Sequence, residues 1–196
     1  MTNATRERMI KSAVHLFRRQ GYTGTGFREV IDHSGAPRGS IYHHFPGGKA
    51  QLGVEAVRSA GEATDRLLQS LMGSDDPSAS VDSYMAWWAR YLEASDFRAI
   101  CPVLAVVAES HPDAPELERA AADQFARWED SLAKGLRHAG IERARARSIA
   151  SLVVASFEGA TVIARARKDV RPLTHARREL RRLIRAAMRE PAYDTG

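Results

Sequence analysis

Residues 27 to 49 hold two short amphipathic segments separated by a glycine, and this arrangement constrains the fold more than any other part of the chain. The first segment ends at Gly35, and the second is opened by Pro37 and closed by Pro46. Glycine adopts positive φ without steric cost, and proline suits the first position of a helix. The pattern predicts a helix-turn-helix, a motif whose second helix enters the DNA major groove.

The residue types of the second segment fit contact with DNA. Arg38, Gly39 and Ser40 are expected to form its exposed first turn, while Ile41 and Phe45, four residues apart, anchor the helix in a core. An arginine fork bonds guanine edges, and phenol, imidazole and ammonium groups bond phosphates. The predicted DNA-contacting residues are Thr25, Arg28, Pro37, Arg38, Gly39, Ser40, Tyr42, His43 and Lys49.

The net charge of the chain is concentrated at the same end. Residues 1 to 50 contain eight Lys or Arg against three Asp or Glu, which equals the +5 of the whole chain. A positively charged N-terminal part joined to a neutral remainder is typical of a nucleic-acid-binding protein with a second domain. The alternative is that these basic residues only form a solvated surface. Residues 165 to 189 are also basic and could form a second DNA-binding surface. The simpler interpretation is that their positive charge offsets the net negative charge of residues 51 to 164.

Several fixed strings in the first fifty residues resemble the DNA-binding domain of the TetR family of transcriptional regulators. They are a leading helix from about Thr5 to Gln20, the pair Gly21-Tyr22, GFREVI, SGAPRGSIYHHF and Lys49. The form APRGSIYHHFPGGK, together with Cys101-Pro102-Val103, is most similar to the LmrA/YxaF-like branch of lincomycin-resistance and flavonoid-responsive repressors. The resemblance implies a homodimer that binds an operator and holds an inducer among its central helices.

The rest of the chain has the apolar period of helices almost throughout. Helices are expected at 48–72, 81–94, 96–110, 115–140, 142–168 and 172–189, and no strand-like alternation stands out. The fold class is therefore all-α with about nine helices. We predict a helix-turn-helix domain at 1–47 and a helical effector-binding and dimerisation domain at 48–196, with 48–72 as the connecting helix.

The last two helices, within 142–189, each carry an apolar stripe beside an arginine-rich face. Such a pair can pack against its symmetry mate as a four-helix bundle, or it can serve the monomer's own core. Periodicity does not separate these alternatives. The family resemblance implies the dimer.

Aromatic residues gather in the central helices, including all three tryptophans. Apolar, aromatic-lined cavities are the usual form of small-molecule sites, while aromatics at helical spacing are more often ordinary core. Within a TetR-like body the first interpretation gains weight, and it predicts a hydrophobic, aromatic effector. The residues expected to contact it are Trp88, Tyr91, Cys101, Phe125 and Trp128.

Other functional classes have little support in the sequence. We find no paired metal ligands, no nucleophile elbow and no phosphate loop, so we expect neither an enzyme nor a metal or other cofactor. No signal-peptide core or membrane span is expected, which favours a cytoplasmic protein. We predict a repressor released from a palindromic operator by a hydrophobic effector. The alternatives are a same-fold activator or architectural protein without an effector and, less favoured, a helical ligand carrier.

Overall fold

The computed structural model describes residues 2–74, 76–109 and 113–189, and these ranges contain nine helices and no strand. The predicted all-α class and helix number are confirmed. The helices are α1 (Thr2–Gln20), α2 (Phe27–Ser34), α3 (Ser40–His44), α4 (Gly48–Met72), α5 (Pro77–Ala94), α6 (Pro102–Val107), α7 (Pro115–His138), α8 (Arg143–Arg167) and α9 (Arg171–Ala187).

Contacts divide the chain into two compact units, each built from two stretches of sequence. The head unit comprises residues 1–63 and 100–124, and the body unit comprises residues 64–99 and 125–196. Helices α4 and α7 therefore contribute residues to both units. This division describes compactness, so the functional boundary at residue 47 stays a prediction.

In the head unit, α1 packs against α2, α3 and α6. The core is made by the apolar faces of these helices because each has a stripe that must leave water. Ile41 and Phe45, predicted to anchor the second helix of the motif, are fully buried, and Val30 of α2 is almost so. The motif is thus anchored on α1 by its apolar side, and polar contacts such as that between His33 Nδ1 and Ser12 Oγ at 3.0 Å add to this packing.

Helix α6 is shorter than the helix predicted for residues 96–110, whose last residue lies outside the described ranges. Asp96 and Phe97 have φ values of 53° and 56°, in the left-handed region that a right-handed helix cannot include. Pro102 then stands at the first helical turn, where its missing N–H costs no hydrogen bond. The prediction was wrong over 96–101 because the left-handed Asp96 and Phe97 interrupt the helical path and Pro102 starts a new helix.

The body unit packs α9 against both α5 and α8. Asp76 caps the start of α5 by accepting a hydrogen bond from the Ala79 N–H at 3.1 Å. Two arginines of the basic helix α9 pair with acids at this end of α5: Arg177 Nε lies 3.2 Å from Asp82 Oδ1, and Arg185 Nη2 lies 3.5 Å from Asp76 Oδ2. Part of the basic charge of α9 is therefore neutralised within the unit.

Helix α8 is long and apolar enough to cross a membrane by length and composition, with a mean hydropathy of 1.5 over 18 residues. The same property is common in the core helices of proteins that cross no membrane. Helix α8 packs on α9, and its residues Ile149, Ala150, Val153 and Ala164 are buried.

Candidate nucleic-acid interface and effector cavity

We call the part of the helix-turn-helix that is predicted to enter the DNA groove the reading segment. It consists of a turn at residues 37–39 followed by the five-residue helix α3. Gly39 has φ 87°, and the Pro37 carbonyl accepts hydrogen bonds from the Ser40 N–H at 3.1 Å and from Ser40 Oγ at 2.6 Å. The expectation that Pro37 opens the helix was therefore wrong. A left-handed Gly39 interrupts the helical path, so Arg38 and Gly39 precede α3 and do not form its first turn.

The preceding turn agrees with the sequence. Gly35 ends α2 in the left-handed conformation, with φ 63° and its N–H bonded to the Ile31 carbonyl. Only glycine takes this geometry without steric cost, and it lets the chain leave α2 sharply. The predicted glycine turn between the two helices is confirmed.

Most of the predicted DNA-contacting side chains lie on the surface of α2 and of the reading segment. Tyr42 is 66% exposed, and its ring meets the Phe27 ring edge to face at a centroid distance of 5.7 Å. The side chain of Arg28 is 88% exposed, with Asp32 at the 4.0 Å limit of an ion pair. Pro37, Arg38, Gly39 and His43 are exposed as well, and Ser40 is half-buried. The arrangement offers a guanidinium fork, a phenol and an imidazole beside a buried anchor.

Thr25 and Lys49 are placed differently from the other predicted residues. Thr25 is 2% exposed, and its hydroxyl donates to the Gly21 carbonyl at 2.7 Å. Lys49 is half-buried: its Nζ donates to the Thr23 carbonyl at 3.2 Å and lies 4.5 Å from the centroid of the Tyr22 ring. Both side chains thus bond the turn between α1 and α2.

Burial acts on the titratable groups around this turn. It lowers the pKa of the Lys49 ammonium, while the negative charge of Glu109 acts in the opposite direction. It also raises the pKa of the Tyr22 phenol, helped by the charges of Glu116 and Glu109. Lys49 therefore experiences a partly desolvated site inside the head unit rather than bulk solvent.

The body unit contains an apolar cavity between α4, α5, α7 and α8. The space between its lining atoms is about 450 Å³, including the part open to solvent, but the centre of a water molecule can reach only about 30 Å³ of it. A drug-sized molecule occupies a larger pocket, so its entry would require the walls to move apart. The lining residues are Thr64, Leu68, Leu71, Met72, Ser80, Val81, Tyr84, Met85, Trp128, Leu132, Val153, Val154 and Phe157.

Among the predicted effector residues, Trp128 lines this cavity. Trp88 packs its ring against Phe157 at 5.3 Å and Phe125 packs against Trp128 at 5.4 Å, so both support lining residues without reaching the cavity themselves. Tyr91 stacks on the half-exposed Trp87 at 5.6 Å. Cys101 is buried at the start of α6 in the head unit and does not line the cavity.

Two lining aromatics, Tyr84 and Phe157, were not among the predicted effector residues. Their rings lie 5.2 Å apart and contribute to the wall. Tyr84 precedes Trp88 by four residues on α5, so helical period puts both on one side of the helix. Sequence composition did not distinguish which member of the pair faces the cavity.

Helix α8 also presents an apolar surface. Leu152, Val162 and Ile163 are 47%, 44% and 44% exposed. Exposed large aliphatic residues gathered on one helix are typical of a face that another protein surface covers. This face belongs to one of the two helices predicted to form the dimer.

Two family models match the chain over most of its length. Residues 9–56 match the model of bacterial regulatory proteins of the tetR family, and residues 77–179 match the C-terminal domain of LmrA/YxaF-like transcriptional regulators. The first match covers the segment with the exposed reading turn, and the second covers α5 and α8, which contribute to the cavity wall.

Individual proteins agree with these matches. The HTH-type transcriptional regulator LmrA of Bacillus subtilis is 31% identical, with 87% of this chain and 92% of LmrA covered. The uncharacterized HTH-type transcriptional regulator Rv0196 of Mycobacterium tuberculosis is 40% identical, with 94% and 96% covered. A crystal structure of a TetR transcriptional regulator from Chloroflexus aurantiacus is similar with a TM-score of 0.77 at 27% identity, over 94% of this chain and 96% of that one.

Proposed function

Because this chain belongs to the TetR family of DNA-binding transcriptional regulators, in its LmrA/YxaF-like branch, we propose that it is a repressor released from a palindromic operator by a hydrophobic small molecule. The observation that carries the proposal is the division of roles on α3. Ile41 is fully buried while Tyr42 is 66% exposed, and the exposed Arg38 precedes the helix. A helix held by one side and polar on the other fits insertion into a groove.

We assign the contacts by chemistry. Arg38 supplies base discrimination, since arginine bonds the guanine edge through two donors. Gly39 permits close approach, while Arg28, Ser40, Tyr42 and His43 bond phosphates or base edges. Thr25, Pro37 and Lys49 contribute by shaping the segment, in keeping with the buried Thr25 hydroxyl and the internal bonds of Lys49.

We propose that the functional protein is a homodimer formed by α8 and α9. TetR regulators act as dimers on operator DNA, and the exposed apolar face of α8 supports this assembly here. Two copies of α3 separated by one turn of DNA, about 34 to 36 Å, would read the two halves of a palindrome. The site of action is the cytoplasm, where the chromosomal DNA lies, and we assign the protein no catalytic role.

The effector is assigned to the cavity of the body unit. Its lining, with Tyr84, Trp128 and Phe157 among aliphatic residues, suits a planar apolar compound of the flavonoid type. Because the cavity in its present form admits little more than water, the effector must favour a state with the helices further apart. A coupling of about 1 to 3 kcal/mol, or 5- to 150-fold in affinity, is typical of such a linkage.

Replacing Arg38 with alanine tests the assignment of the reading turn. We expect operator affinity to fall by roughly 1 to 3 kcal/mol, while affinity for random duplex falls much less. The operator is first obtained by selection from random duplexes, and both affinities are measured by fluorescence anisotropy. Arg38→Lys is the matched control, since it keeps the charge and loses the fork. Equal losses on both DNAs would assign Arg38 to phosphate, and failure to select a palindrome would overturn the proposed function.

Filling the cavity tests the effector site. Val154 is half-buried at the cavity wall, so Val154→Phe adds volume at a position that the core does not fully enclose. We expect a flavonol series that quenches tryptophan fluorescence and releases operator from the wild type to do neither in this variant, while operator affinity without flavonol is unchanged. Quenching without release in the wild type would instead indicate ligand binding uncoupled from DNA, as expected of an architectural protein or carrier.

A further inference from the structure

The turn between α1 and α2, residues 21–26, is held by a carboxylate that is distant in sequence. Glu109 follows α6, and its Oε2 accepts two hydrogen bonds from one residue: the Thr23 N–H at 2.7 Å and Thr23 Oγ1 at 2.5 Å. Glu109 and Thr23 both belong to the head unit. Bonds to an ionised acceptor are shorter and stronger than those between neutral groups.

The second oxygen of Glu109 also fits the turn closely. Gly21 has φ 78°, and a Cβ atom built on it would lie 2.0 Å from Glu109 Oε1. Glycine is favoured at position 21 because a side chain would be strained by the backbone, and a Cβ atom there would also displace the Glu109 carboxylate. The turn and the carboxylate are complementary in shape as well as in hydrogen bonding.

The backbone carbonyl of Thr23 is bonded by a basic residue. Lys49, near the start of α4, donates from Nζ to the Thr23 carbonyl at 3.2 Å. The backbone N–H and carbonyl of Thr23 are therefore bonded by an acid 86 positions away and a base 26 positions away. We call this set, Glu109, Thr23 and Lys49, the turn clamp.

Thr23, the residue that both other members of the turn clamp bond, lies shortly before α2 in the sequence. Helix α2 begins at Phe27, and the Thr25 hydroxyl joins the two ends of the turn by bonding the Gly21 carbonyl. The direction of α2, and with it the position of α3, depends on how this turn is held. We infer that Glu109 is a positioning residue for operator binding, which it supports by fixing the turn at Thr23. The inference rests on DNA binding by the head unit.

Replacing Glu109 with glutamine tests whether the residue acts by positioning the turn or only by its negative charge. Removing a negative charge from a DNA-binding unit should by electrostatics leave affinity for all DNA unchanged or higher. If the carboxylate positions the turn, operator affinity should instead fall, by about tenfold for the loss of charged bonds, while affinity for random duplex does not fall. Glu118→Gln is the matched control, because Glu118 is an exposed acid of the same unit.

A second variant and a measurement without DNA make the test independent of folding defects. Thr23→Val removes one donor to Glu109 and keeps the size of an exposed side chain, so we expect a smaller operator loss, about threefold, that adds little in the double variant. Amide hydrogen exchange at Thr23 should be slow in the wild type and faster in Glu109→Gln. Unchanged operator affinity in Glu109→Gln, or equal losses on both DNAs with a lower melting temperature, would overturn the inference. A wild type that selects no operator would overturn the proposed function instead, and the exchange result would then report on the clamp alone.

Discussion

Replacing Ile163 with arginine is expected to turn the dimer into monomers and to lower operator affinity by about a hundredfold or more. Ile163 is 44% exposed on α8, the helix that we assign to the dimer. A two-fold contact uses the same patch on both subunits, so one substitution would introduce two positive charges into the interface. Each would be buried without a partner, which is strongly unfavourable. Operator affinity should fall as well, because linking two DNA-binding head units raises apparent affinity by roughly 10² to 10⁴.

The oligomeric state is measured by sedimentation velocity and the affinity by anisotropy with the selected operator. Leu67→Arg is the matched control. Leu67 is 39% exposed on α4, so the substitution also replaces an exposed aliphatic residue with arginine, but on a helix other than α8 and α9. We expect this control to remain dimeric. A dimeric Ile163→Arg variant with full operator affinity would show that the apolar face of α8 is not the dimer surface.

Replacing Phe45 with alanine is expected to destabilise the head unit by about 3 to 5 kcal/mol, the usual cost of removing a large buried aromatic side chain. Phe45 is fully buried at the end of α3, and the Arg6 guanidinium lies 5.3 Å from its ring centroid. Loss of this anchor leaves a cavity beneath the reading segment, so operator binding should be lost with the fold of the unit.

Urea unfolding followed by circular dichroism measures this change. Phe45→Leu is the matched control, since it keeps an apolar side chain of related volume and should cost less than about 1.5 kcal/mol. Because the chain has two compact units, the unfolding curve of Phe45→Ala should show an early transition belonging to the head. Stability equal to that of the wild type would contradict the burial of Phe45 beneath α3.

Sequence periodicity predicted the features that depend on local physics. Gly35 was identified as a left-handed turn because glycine has a steric reason to be there, and Ile41 and Phe45 were identified as anchors by their spacing of four. The start of α3 was predicted too early because Pro37 fits a helix start equally well as a turn. The deciding geometry is the positive φ of Gly39, and sequence alone does not give that angle.

Features that depend on distant residues were not predictable in this way. Glu109 and Thr23 are 86 positions apart, so no motif or period relates them. The bond from Lys49 to Thr23 likewise depends on the tertiary fold, and the predicted contact of Lys49 with phosphate stays a prediction. The cavity shows the same limit. The aromatic residues located three of its four helices, but the residues predicted from the sequence included Cys101 and Trp88 and not Tyr84 and Phe157, which line it.

The left-handed conformation of Gly39 bears on how related regulators could diverge. A side chain at this position would be strained by the backbone, whatever the space around it. Under the proposed function, mutations that alter the target sequence are expected at the exposed positions 38, 42 and 43, whereas a side chain at position 39 would carry the cost of a strained backbone. Gene duplication followed by substitution at those neighbours would give paralogues with new targets and an unchanged bend in the backbone.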